Sequence, residues 1–216
     1  MKPILFNTEM VRAILEGRKT VTRRLVKPQP GFFYDHGGVV RDPGNPDHIS
    51  FLAMMPDDHE EIYVPPYQPG EILYVRETWR IRNVFGDWNR CDRSAEIEYR
   101  AGGPNITLRN ITRRFEDWIR GARWLPSIHM PKKAARIFLR VVSVKPERLR
   151  NMVLGDVLME GITEGDSYDD TWKRWHNTWN STIKPADLPT YGWEANPWVW
   201  VIKFERCEKP EEPHGE

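Results

Sequence analysis

The chain has 216 residues, 39% hydrophobic and 29% charged, with a formal net charge of +1. That length can bury a core without disulfides or metals, and two cysteines, Cys91 and Cys207, make no disulfide framework, so a reduced cytoplasmic setting is expected. The N-terminus lacks the apolar core of a signal peptide, and no run approaches the roughly 18 apolar residues of a membrane helix, so a soluble protein with no membrane partner is expected.

The first strand candidate is Ile4 to Phe6. A helix over residues 8 to 16 follows, with Asn7 as N-cap, Glu9 in the first turn, apolar Met10, Val11, Ile14 and Leu15, and Gly17 as the terminal glycine. Next comes Gly17-Arg18-Lys19-Thr20-Val21-Thr22-Arg23-Arg24, which sets a lysine, a threonine hydroxyl and several guanidinium groups at a helix-to-strand corner outside the core. Such a cluster suits an anion or a reaction that develops one. The β-branched run from Thr20 predicts a strand over Thr20 to Leu25, whose alternation puts Thr20, Thr22 and Arg24 on one face.

Residues 28 to 69 hold eight of the 18 prolines with Gly31, Gly37, Gly38 and Gly44, which predicts an irregular flap or insertion. Strands are expected at Ile72 to Thr78, Ala95 to Arg100, Arg136 to Val144 and Trp198 to Glu205, with a second insertion over 80 to 132. In the last strand Trp198, Trp200, Ile202 and Phe204 share a face. Further helices are expected at about 113 to 120, about 155 to 160 and 169 to 181. Trp172, Trp175 and Trp179 form a stripe on the last of these that reads as core rather than as a base-stacking platform. The expectation is a single α+β domain spanning 1 to 216, a mixed β-barrel of about six strands with flanking helices.

The small net charge conceals segregation. Residues 1 to 27 carry Lys/Arg at 2, 12, 18, 19, 23, 24 and 27 against Glu9 and Glu16, a local +5. Residues 109 to 136 carry them at 109, 113, 114, 120, 123, 132, 133 and 136 against Glu116 and Asp117, a local +6. Residues 156 to 170 hold six acids and no Lys or Arg. Two basic blocks suit a polyanion bound at one face, with Arg18, Arg23, Arg24, Arg113 and Arg114 as candidate contacts.

The six histidines show no metal-site spacing, and no G-x-S-x-G, phosphate-cradling G-x-x-x-x-G-K or dinucleotide glycine pattern occurs. No metal or other cofactor is expected. Activity would have to come from Lys, Thr, Glu, Arg or Tyr.

Gly17, Lys19 and Arg24 match the G-x-K-x-x-x-x-R signature of the ASCH superfamily, which has a PUA-like β-barrel fold. The frame "ILEGRKTVTRR" and the blocks "GEILYVRETW" (Gly70 to Trp79), "WLPSIHMPKKAARIFLRV" (Trp124 to Val141), "LMEGI" (Leu158 to Ile162) and "NPWVWVIKFE" (Asn196 to Glu205) resemble the longer phage and prophage members of that family. Many members carry an acid where this chain has Thr22. A threonine there resembles the small bacterial members that hydrolyse N4-acetylcytidine, whose catalytic lysine, threonine and glutamate would fall on Lys19, Thr22 and Glu160.

The resemblance implies a metal-independent hydrolase acting on a modified-base amide of a nucleoside or nucleic acid. Lys19 would be the base, Thr22 the nucleophile, and Glu160 the group that orients water or protonates the leaving amine. Two alternatives stay open. One is a ribonuclease in which Lys19 and Arg24 neutralise the phosphorane while Glu160 or Tyr74 assists the 2′-hydroxyl. The other is a non-catalytic PUA-like reader of RNA, single-stranded nucleic acid or a modified nucleoside.

Overall fold

The structure, a computed structural model, describes residues 1–33, 39–42, 45–86, 93–111 and 123–211. In chain order the elements begin with β1 (Lys2–Leu5), α1 (Thr8–Leu15), β2 (Val21–Leu25), β3 (Phe32–Phe33), β4 (Val39–Asp42), β5 (Asn45–Met54), β6 (Glu60–Tyr63) and β7 (Ile72–Arg76). Then come β8 (Trp79–Phe85), β9 (Ser94–Tyr99), β10 (Ile106–Arg109), β11 (Phe138–Arg148), α2 (Leu154–Met159), α3 (Tyr168–Ser181), α4 (Leu188–Tyr191) and β12 (Trp198–Cys207). The class is α+β, with several antiparallel pairings and few helices, and no closed barrel is traced among the described residues.

The chain forms two compact units. The first comprises Met1–Leu15, Ile72–Leu139 and Arg206–Glu216, the second Glu16–Glu71 and Arg140–Glu205. The stretches read from sequence as insertions fall one in each unit.

In the first unit β1 runs parallel to β7, with Ile4 opposite Val75. β9 lies between β8 and β10, antiparallel to both. Its alternation buries Ala95, Ile97 and Tyr99 in a cluster with Trp79, Leu125, Met130 and Phe138. Across this core Arg136 clasps buried Glu77 through two bonds of 2.9 and 3.0 Å and stacks 3.9 Å from the Tyr99 ring centroid. Asn7 caps α1 as its position predicts, its Oδ1 accepting from Met10 N–H at 2.9 Å. Asn7→Ala is therefore expected to cost about 1 kcal/mol, read as a lower urea midpoint, and an unchanged midpoint would show the cap to be idle.

The second unit is built around β12, flanked by β11 on one side and by β2 as an edge strand on the other. β12 is antiparallel to β2, with Ile202 opposite Thr22 and Trp200 opposite Arg24. Val199 and Val201 are buried as well as Trp200 and Ile202, so both faces are covered and simple alternation fails there.

Residues 28 to 69 correct the expectation of irregular structure. β3 and β4 pair antiparallel with β5, and β6 pairs with it too. Most of the described breakers punctuate the segment instead of dissolving it: Pro28 and Pro30 precede β3, Pro56 sits in the turn after β5, and Pro65, Pro66 and Pro69 follow β6, while Pro46 stands at the second position of β5, where a strand tolerates proline. Nor is the segment a free flap. The Phe33 ring packs edge-on against Tyr63 and Trp198 at centroid distances of 5.5 and 5.0 Å, and Phe51 lies 5.4 Å from Trp200. Each such buried aromatic contributes roughly 1.5–3 kcal/mol. Trp198 N–H and its carbonyl are both bridged by the Gln29 amide, at 2.6 and 3.0 Å.

The tryptophan stripe of α3 is core at Trp175 and Trp179, both buried with ring centroids 6.0 Å apart. The helix expected at about 113 to 120 lies outside the described residues. No helix among the described residues is long and apolar enough to cross a membrane.

Candidate functional site

Gly17, with φ of +77°, ends the helical path and turns the chain toward β2. Two backbone bonds then fix the corner: Thr20 N–H donates to Met159 O, and Phe204 N–H donates to Thr20 O, each at 2.9 Å. Lys19 is thereby held between the end of α2 and the edge of β2. The corner reading leaves Lys19 outside the core, and here the structure corrects it, because Lys19 is 3% exposed.

Its partner comes from far along the chain. Glu160 closes α2, its N–H donating to Asp156 O at 3.0 Å, and Gly161 follows with φ of +88°. That is the helix end the sequence implies, but the side chain points inward and is also 3% exposed. Lys19 Nζ donates to Glu160 Oε2 at 2.6 Å, to Glu160 O at 2.8 Å and to Val21 O at 2.8 Å. One of those acceptors is a carbonyl at a helix C-terminus, which has no partner within the helix and favours a cation.

Burial pushes the Lys19 ammonium below its ordinary value of 10.5; the Glu160 carboxylate opposes this, while the Arg24 and Arg23 guanidiniums add to it. Arg18 stays at the surface. Its exposed side chain bonds Glu16 Oε2 through Nε at 2.8 Å and Gly161 O through Nη1 at 2.7 Å.

Arg23 joins the pair, its Nη1 lying 3.2 Å from Glu160 Oε1. It is ion-paired and buried, not presented to a polymer. Thr22 is buried on β2, and alternation places it with Arg24 on the face away from Arg23. Burial lowers Arg24 from its usual value, with Tyr67 and Glu160 opposing, and burial raises the Tyr67 phenol. Tyr74 belongs to the first unit, where it packs partly buried against that unit's core. Arg113 and Arg114 lie outside the described residues.

Three participants escape sequence reasoning. Asp156 and Glu160 are four apart on α2, so a shared helix face could have signalled Asp156. Glu147, at the end of β11, and Tyr67, in the loop after β6, carry no local signal. They reach the site only through the fold.

The basic block of residues 1 to 27 is also answered from within. Lys19 and Arg23 draw their carboxylates from the acidic run at 156 and 160, Arg12 pairs with Glu9 and Arg18 with Glu16. Glu9 and Glu16 already stand within the local +5, so the two carboxylates drawn from the acidic run lower it to +3 and weaken, without removing, this block's attraction for phosphate. Among the described residues no group of three or more His, Cys, Asp or Glu could hold a metal ion.

The chain matches no protein-family model, no curated protein and no solved structure.

Proposed function

We propose that the second unit hydrolyses a modified-base amide on a nucleoside, N4-acetylcytidine being the model substrate, and that the chain is a PUA-like ASCH protein of the phage and prophage type. The observation that carries this reading is the buried clasp of Lys19 by both the carboxylate and the carbonyl of a glutamate 141 residues away. Burying two opposite charges is costly, and ionisable groups perturbed by burial and a specific charge partner cluster at functional sites.

In the proposed chemistry a neutral Lys19 amine takes the Thr22 hydroxyl proton as the oxygen attacks the acetyl carbonyl. Backbone N–H groups of the corner hold the oxyanion. The C–N bond then breaks, the 4-amino group leaves with a proton supplied through Glu160, and the acyl ester on Thr22 is hydrolysed by water to acetate. A nucleoside fits better than a polymer, because the cations around the clasp are already matched by Glu16, Glu147, Asp156 and Glu160.

One observation favours a second reading. Lys19 donates to three oxygens at once, as a structural clasp would, and a reader of modified bases requires no proton transfer from it. Incubation with N4-acetylcytidine separates the two: release of cytidine and acetate supports the hydrolase. Binding of the nucleoside or of single-stranded RNA without product, with metal and without, overturns it in favour of the reader. Cleavage of labelled RNA would instead support the ribonuclease.

A further inference from the structure

Arg23 reads in the sequence as a phosphate contact, yet its side chain is only 1% exposed. Its guanidinium is shared among three carboxylates, with Nη1 at 3.2 Å from Glu160 Oε1 and Nη2 at 3.4 Å from Glu147 Oε1 and 3.6 Å from Asp156 Oδ2. Asp156 is itself fixed, its Oδ2 accepting from Val153 N–H at 3.0 Å. The Arg23 Nε is buried with no hydrogen-bond partner, so no single acid engages the guanidinium as a matched fork. Beyond it, Lys145 Nζ lies 2.5 Å from Glu147 Oε2 and is 59% exposed. Alternating charges thus run from solvent to the buried lysine, in the order Lys145, Glu147, Arg23, Glu160, Lys19.

We propose that Arg23 is a positioning residue that holds Glu160 Oε1 so that Oε2 faces Lys19, and that Glu147 sets how firmly it does so. This rests on the reading of Lys19 and Glu160 as the working pair. A carboxylate with one cationic partner can turn either oxygen, or both, toward it. With a second cation on the other oxygen its orientation is set, and the two cations compete for its charge.

The competition has a sign. Without Arg23, Glu160 serves Lys19 alone and a like charge is gone, so Lys19 holds its proton to higher pH. Without the Glu147 charge, Arg23 is left to Asp156 and Glu160 and draws more on Glu160, so Lys19 loses its proton at lower pH. The charged groups acting on Lys19 are Glu160, Arg24 and Arg23, and Arg24 with its neighbour Tyr67 is untouched in both variants.

The test is the Lys19 Nζ titration, followed by NMR on lysine-labelled full-length protein for the wild type, Arg23→Met and Glu147→Gln. Beside it run kcat and KM on N4-acetylcytidine and the salt dependence of single-stranded RNA binding. The midpoint is expected to rise in Arg23→Met and fall in Glu147→Gln, opposite shifts that loss of packing alone would not produce. For Arg23→Met, kcat is expected to fall on the order of 10²-fold with KM little changed, as when a reacting group is misplaced, and Arg23→Lys should recover part of it. The lysine signal is readable without turnover, so a silent wild type overturns the hydrolase and leaves the positioning role to the two shifts. An unmoved midpoint in Glu147→Gln, a substitution at a partly exposed side chain, overturns the positioning role. A raised KM with a shallower salt slope in Arg23→Met also overturns it, by marking a direct phosphate contact.

Discussion

Glu160→Gln is expected to destabilise the protein by about 3–5 kcal/mol, the scale for removing one partner from a buried ion pair. The carboxylate neutralises two buried cations, with Lys19 at 2.6 Å and Arg23 at 3.2 Å. A glutamine amide can still accept hydrogen bonds, but it carries no charge to offset the desolvation of either cation. Lys19→Met should cost less, because Glu160 keeps Arg23. In the double variant the two losses should fall short of additive, since the second substitution removes a group already stranded by the first. Urea midpoints for the two single variants and the double decide this. A Glu160→Gln protein as stable as wild type would show that the clasp does not hold the corner of β2.

Lys19→Met is expected to abolish turnover of N4-acetylcytidine, a loss of at least roughly 10²-fold, as for removal of a general base. Thr22→Ala should do the same while leaving the Lys19–Glu160 pair in place. The pH dependence follows from the direction of the Lys19 shift. Burial moves its protonation below 10.5, so turnover should rise with pH as the amine appears, with a midpoint below that of a free lysine. Stability carries the same signature. Between the lowered folded value and 10.5 the unfolded chain binds the extra proton, so wild-type stability should climb with pH across that window. Lys19→Met should lack both the limb and the climb. A rate that is flat with pH, or a Lys19→Met enzyme with wild-type turnover, would remove Lys19 from the chemistry.

Much of the scaffold can be read locally. All six strand candidates form, within a few residues of the expected bounds, because apolar alternation and β-branched runs act over near neighbours. α1 begins and ends where Asn7 and Gly17 dictate, and α2 and α3 occupy their expected places. Residues 28 to 69 differ: proline and glycine density points to irregular structure, yet apolar alternation buries Phe51 and Ala53 on β5. Three short strands pair with the ten-residue β5, which takes Pro46 at its second position, and the aromatic contacts of Phe33 and Phe51 with Trp198 and Trp200 make them stable.

By itself the sequence determined which residue types cluster at the corner after α1 and that a glutamate before Gly161 closes a short helix. Only the tertiary structure decided what those groups face. Exposure and pairing depend on chain segments more than a hundred residues apart, and no local pattern encodes that distance. Lys19 is therefore a buried ion-pair partner, not an open cation, and Arg23 turns away from any phosphate toward Glu147, Asp156 and Glu160. Alternation fixes the face of β2 from which the Arg23 guanidinium leaves, but only the fold brings carboxylates to that face, and a buried positive charge is tolerated only where negative charge meets it.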